Sequence, residues 1–201
     1  MIRSVGLLIV PGGTNPGDAA WGRKQWLAAN VSPSESVAEL GGTGDLFAGW
    51  HDGVTALDDL SGFGPGHRIA AKRFLKGDIA KTPFADHEFD VAVVAEVLEH
   101  VPCPVACLKE AARVAKRVLI TTPFENRWNN SAQFRIAGHI RFYTPPLFCA
   151  QIRKAGLSGD VGILEFTTWS FLVACLSHDG VARDRYARPA MESLRPEDAL
   201  Q

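Results

Sequence analysis

His100 and His139 are the side chains of this chain best suited to move a proton at neutral pH, since an imidazole ordinarily titrates at about 6.5. His100 closes the run Glu96-Val-Leu-Glu99-His100, and His139 lies in Gly-His-Ile-Arg-Phe-Tyr-Thr beside Arg141 and Tyr143. Placed against an acceptor hydroxyl, either histidine would serve as a general base. Joined with Glu99 they would also be a set of metal donors, but no spacing here matches a zinc ribbon or finger, so no metal is expected. The remaining chemistry-bearing groups are carboxylates at the ends of short apolar runs: Glu39, Asp58 with Asp59, Asp78, and Glu96. A carboxylate at a strand tip can accept hydrogen bonds from two neighbouring hydroxyls at once. The glycines of Glu39-Leu-Gly41-Gly42-Thr43-Gly44 would let the backbone approach such a ligand closely.

These residues need a scaffold that delivers them to one place. The run Val91-Ala-Val-Val94 is β-branched, too short for a helix, and fenced by Asp90 and Glu96, which predicts a central parallel strand over 90–95. Further strands are expected at 36–40, 54–57, 73–76 and 118–120, and the segments 161–166 and 169–176 are close enough in sequence to form a hairpin. Residues 4–10 read as an extra strand or an ordered arm. Asp18 is the expected N-cap of a helix ending near Asn30, whose Trp21, Arg23 and Trp26 would cover the sheet edge or lid a ligand. The glycine turn should open a helix after residue 44, whereas 61–72, with its glycines and proline, should be short or irregular. Apolar positions at helical spacing predict a helix over 104–116, with Lys116 and Arg117 complementing its C-terminal dipole. Thr144 and Pro145 should start a helix that Gly156 ends.

The central segment resembles that of class I S-adenosylmethionine-dependent methyltransferases of the small-molecule branch. The resemblance is carried by Gly77-Asp78, the Pro83-Phe84 turn, Phe89-Asp90 and Leu98-Glu99-His100, in that order, and extends more loosely over residues 35–176. It implies an α/β fold: a Rossmann-like doubly wound sheet, mostly parallel with an antiparallel last strand, and helices on both faces. It further implies S-adenosylmethionine as cofactor, a small-molecule acceptor, and a segment near 124–142 that roofs the acceptor pocket. On this resemblance the cofactor would be held by Glu39, Gly41, Gly42, Gly44, Asp58, Asp78, Ile79 and Glu96. Asp58, with Asp59 as the near alternative, would take the ribose hydroxyls; Asp78 would accept from the adenine amino group while the Ile79 N–H donates to the ring; Glu96 would lie against the methionine or adenine side. Glu99 would hold the loop by pairing with a basic neighbour. The glycine stretch is one residue short of the family's acid-x-Gly-x-Gly-x-Gly pattern, so Gly41 aligns from the left and Gly42 and Gly44 from the right.

Composition bounds the rest. With 201 residues, 46% of them hydrophobic, the chain can bury a core of its own. The expected organisation is one domain, 1–201, made of an N-terminal arm and lid helix (1–34), a core (35–176) and a tail (177–201). A net charge of −1 offers no footprint for a phosphate backbone, so nucleic acid is not expected as a partner. Four scattered cysteines fit no disulfide scaffold, and Cys103 and Cys107 read as buried free thiols. No apolar run reaches membrane-spanning length. These features predict a cytoplasmic protein with no membrane partner. Two further readings stay open: a degenerate methyltransferase acting as a partner subunit, and a nicotinamide-dependent oxidoreductase.

Overall fold

The apolar run at 91–94 becomes the middle of a sheet because both of its faces demand cover. In the computed structural model, which describes residues 2–9, 16–124, 138–165 and 170–177, it forms β5 (Phe89–Ala95), in which Val91, Ala92, Val93 and Val94 are all 0% exposed. β5 lies between β2 (Val37–Leu40) and β6 (Ala115–Pro123), parallel to both. On one side the sheet continues from β2 to β3 (Val54–Asp58) and β4 (Arg73–Lys76). On the other it continues from β6 to β8 (Ser170–Ser177), β7 (Ser158–Glu165) and finally β1 (Ile2–Ile9). β8 runs antiparallel to β6 and β7, and every other neighbouring pair is parallel. The mostly parallel sheet with an antiparallel last strand is therefore present, with β1 added at the far edge. Strand order reverses between β2 and β5, and open α/β sheets bind ligands beyond the carboxyl ends of their strands at such a point.

Successive side chains of a strand point to opposite faces, and each face has its own helices. On one face α1 (Pro16–Asn30) packs Trp26 and Leu27 with Val37, Val91, Val93 and Leu119. On the other, α2 (Pro104–Val114) and α3 (Pro145–Lys154) pack Leu108, Ala111, Phe148 and Ile152 with Ala38, Ala92, Val94 and Ile120. Thr144 caps α3 as expected, its hydroxyl accepting from the Leu147 N–H.

Several boundaries differ from the sequence reading. α1 begins at Pro16, so Asp18 lies inside the helix instead of capping it, because a proline satisfies the first turn, where no N–H is needed. No regular helix follows the glycine turn; residues 45–50 form successive turns, since β3 must begin by residue 54. α2 stops at Val114, and Ala115, Lys116 and Arg117 belong to β6, with Arg113 the basic residue of the last helical turn. Arg117 instead enters the core, donating to Asn30 O at 2.6 Å and to both carboxylate oxygens of Glu35 at 2.7 and 3.1 Å, a pin between the end of α1 and the middle of the sheet. All four cysteines are free; Cys107 is buried as expected but Cys103 is exposed at the start of α2. Among the described residues no helix is long and apolar enough to cross a membrane. Residues 10–15, most of the roof segment (125–137), residues 166–169 and the tail beyond Ser177 lie outside the described residues.

Candidate active site at the strand tips

The register fixes which residues meet. Leu40 pairs with Leu57 and Asp58 with Lys76, so β2, β3 and β4 end together. Two backbone bonds carry the ladder past the tips: the Gly41 N–H donates to Leu57 O at 2.8 Å, and the Gly77 N–H to Asp58 O at 3.1 Å. Asp58 and Asp78 therefore stand on neighbouring tips at one edge of the sheet. Asp58 is half-buried, its Oδ1 accepting from the Leu60 N–H, and burial raises its pKa above the usual carboxylate value. Asp78 is exposed, with Oδ1 accepting from the Ala80 N–H at 2.8 Å. The next residue, Ile79, buries its side chain, and its N–H has no partner among the described residues.

The glycine turn is built around Glu39. Its side chain is 3% exposed and accepts from the Gly44 N–H. A Cβ on Gly42 would come within 2.5 Å of that carboxyl. Gly41 and Gly44 take positive φ, +88° and +93°. Beyond Gly44 the irregular segment folds back: the Ala70 and Ala71 N–H groups both donate to Thr43 O, and His67 reaches Thr43 Oγ1 at 3.0 Å and Asp45 at 3.3 Å. Burial pushes the Glu39 carboxyl up to about 7, opposed by the Gly44 N–H and reinforced by the nearby charges of Asp45 and Asp58.

A raised pKa in the fold means that this carboxyl favours folding most when protonated. Its contribution is complete at acid pH and is lost as pH rises from the ordinary carboxylate range through about 7. Stability measured by urea titration should therefore fall less between about pH 5 and about pH 8 in Glu39→Gln than in the unaltered chain, by on the order of 2 kcal/mol. Equal pH slopes would show that Glu39 is ionised in the fold without penalty.

The tip of β5 turns the chain toward a second set of polar side chains. Glu96 sits at φ +56°, a left-handed conformation that costs a non-glycine residue roughly 1 kcal/mol or more. It is held there by its N–H on Thr121 O at 3.0 Å, by the Thr121 hydroxyl at 2.9 Å and by the Arg23 guanidinium at 3.2 Å. Glu99, 1% exposed, accepts from the Thr122 hydroxyl at 3.0 Å. Adjacent threonines at the end of β6 thus reach the two glutamates from opposite faces of the sheet. Segment 138–143 is fastened beside this loop. The Ile140 N–H donates to Glu99 O, Arg141 donates to the carbonyls of Leu98, Val101 and Pro102, and Tyr143 lies within hydrogen-bond reach of Leu98 O and Gln151. His139 is thereby set edge-on to His100, ring centroids 4.8 Å apart. Burial lowers the pKa of both histidines, and the neighbouring His139 lowers that of His100 further.

A family model described as a methyltransferase domain matches residues 54–118, the stretch from β3 into β6. Over that stretch the chain is similar to a methyltransferase domain. Solved structures share the fold. A SAM-dependent methyltransferase from Methanosarcina mazei is 19% identical, with 75% of this chain and 96% of that one covered and a TM-score of 0.54. Magnesium protoporphyrin IX methyltransferase from Synechocystis, with bound SAH, is 15% identical over 83% and 89% of the two chains at a TM-score of 0.56. A geranyl diphosphate methyltransferase in complex with SAM is 11% identical over 82% and 93%, at 0.57. No curated protein matches the chain in sequence.

Around the strand tips the sequence-selected residues fall into separate groups. Glu39, Gly41, Gly42, Gly44, Asp58, Asp78 and Ile79 gather at the tips of β2, β3 and β4. Past β5, Glu96 is held by Thr121 and Arg23, while His100 and His139 meet beside Glu99, which Thr122 holds from the other face of the sheet. Glu39 holds the glycine turn from beneath, Glu96 pairs with Arg23 at 3.2 Å, and Glu99 has His100 as a basic neighbour 4.0 Å away. Three participants were not singled out from sequence: Thr121, Thr122 and the stapling role of Arg141. Two consecutive hydroxyls at the end of an apolar strand were the available signal for the threonines.

Proposed function

We propose that this chain transfers a methyl group from S-adenosylmethionine to a small-molecule acceptor. The observation that carries the reading is the set of groups on adjoining tips: a half-buried carboxylate at Asp58, and two residues past β4 a carboxylate acceptor at Asp78 beside the unpartnered N–H of Ile79. Asp58 would accept from both ribose hydroxyls, and Asp78 and Ile79 would read adenine by one acceptor and one donor. Gly41 and Gly44 let the turn pack against Val97 and segment 70–71, and Glu96, fixed by Thr121 and Arg23, borders the methionine side. When bound, the cofactor supplies an electrophilic methyl carbon on a sulfonium, which leaves as a neutral thioether. The protein's task is then mainly alignment, which can supply roughly 7–11 kcal/mol of such a barrier. His100 and His139, kept neutral by their lowered pKa values, face the acceptor half and serve the group that loses a proton.

The test is a thermal-shift panel of S-adenosylmethionine, S-adenosylhomocysteine and the nicotinamide cofactors. Stabilisation by the first two alone is the expected result. Stabilisation by a nicotinamide cofactor would replace this reading with an oxidoreductase, and stabilisation by none would replace it with a non-catalytic partner subunit.

A further inference from the structure

The sequence gives no metal-binding spacing, yet the fold brings three metal donors together. One ligand atom each from Glu99, His100 and His139 lies within 4.8 Å of the others, and the His100 Nε2 to Glu99 Oε1 distance is 4.0 Å. We propose that Glu99, His100 and His139 bind one divalent first-row transition-metal ion on the acceptor side of the crevice. Two imidazoles and one carboxylate form a donor set that suits Zn2+, Co2+, Mn2+ or Fe2+ and leaves positions open for water or an oxygen ligand.

Three features beyond proximity support the site. The first is orientation of the ligands. A carbonyl can only accept, so the contact of His100 Nδ1 with Gly138 O at 3.3 Å puts the proton on Nδ1 and leaves the lone pair on Nε2, the atom nearest Glu99. Metal-bound histidines characteristically donate their other ring N–H in this way. The second is the support of the carboxylate: the Thr122 hydroxyl holds Glu99 Oε2 at 3.0 Å and leaves Oε1 toward the histidines. The third is environment. Glu99 is 1% exposed, and a buried carboxylate is stabilised by a cation, while the His100 side chain, 40% exposed, leaves an entry path. Tetrahedral ligands about 2.0–2.2 Å from a metal lie roughly 3.4 Å apart, so modest rotations of the two rings complete the site.

The consequence for the reaction rests on the methyl-transfer reading. As ligands, His100 and His139 would act through the ion in place of acting as bases themselves: an acceptor oxygen at an open metal position would have its pKa lowered and release its proton to solvent. The metal site itself does not depend on that reading. The experiment is titration of Co2+ into the chelator-stripped full chain, followed by visible absorption and calorimetry, with S-adenosylhomocysteine titrated in parallel. One Co2+ per chain is expected, with affinity reduced at least about 100-fold in His100→Ala and His139→Ala and unchanged in Asp58→Ala. Circular dichroism establishes that each variant is folded, and His139→Gln replaces any alanine variant that is not. Failure of the unaltered chain to bind Co2+, or equal binding by the folded histidine variants, overturns the site. S-adenosylhomocysteine binding without Co2+ binding refutes the metal site alone; the reverse refutes the methyl-transfer reading alone.

Discussion

Gly44→Ala should destabilise the fold by about 2–4 kcal/mol and abolish binding of the adenosyl cofactor. Gly44 takes φ +93°, where an L side chain costs roughly 1 kcal/mol or more, and its Cβ would lie 2.2 Å from the Ala71 nitrogen. That neighbour is backbone and cannot rotate aside. It is also fastened, since the Ala70 and Ala71 N–H groups share Thr43 O as acceptor. Relieving the clash therefore moves either the irregular segment or the turn, and overpacking of this kind costs about 1–3 kcal/mol beyond the backbone strain. Moving the turn also pulls the Gly44 N–H from Glu39. Gly49→Ala is the control, because its φ is similar, +90°, but nothing lies within 4 Å of its Cβ. Urea titration of the two variants separates strain from collision: Gly44→Ala should lose clearly more, and equal losses would mean that the packing between the turn and segment 70–71 is soft.

Asp58→Ala should weaken binding of S-adenosylhomocysteine roughly 100-fold while the chain stays folded. Two hydrogen bonds to a charged acceptor are at stake, each worth about 1.5–3 kcal/mol, and the alanine also loses the acceptor of the Leu60 N–H. Asp58→Asn separates these roles. Its amide oxygen keeps an acceptor for Leu60 or for one hydroxyl but not for both, so an intermediate loss is expected. Because burial raises the Asp58 pKa, the unaltered site should also weaken as the pH drops into the range where this carboxylate protonates, and Asp58→Asn should lack that dependence. An Asp58→Asn variant with full affinity would move the ribose contact elsewhere, Asp59 being the nearest acid.

The sheet was legible because its signals are local. Val91 to Val94 are fully covered on both faces, as a β-branched run bounded by acids suggests, and the acids after β3 and β4 mark strand ends that the register then aligns. What misled was equally local. Lys116 and Arg117 look like cations closing a helix, but Arg117 is drawn into the sheet by Glu35, 82 residues away, and Lys116 pairs with Asp90 at the start of β5. The glycine turn announced itself, yet which glycines need positive φ depends on Glu39 and Val97 packing beneath it, and only the fold decides that Gly41 and Gly44 do. The acceptor half was least legible. The meeting of His100 with His139 depends on Arg141 seizing three carbonyls of the loop after β5, an arrangement that no periodicity encodes. The left-handed Glu96 is likewise invisible in sequence, since its cost is offset by Thr121 and Arg23, which reach it from two other elements.

The central claim is that the tips of β2, β3 and β4 form one adenosyl site. Calorimetric titration of S-adenosylhomocysteine into the purified chain tests it most directly. One molecule should bind per chain, with affinity sharply reduced in both Asp58→Ala and Asp78→Ala and preserved in Asp86→Ala, whose carboxylate pairs with Arg113 of α2. No binding by the unaltered chain, or undiminished affinity in both tip variants, would contradict it.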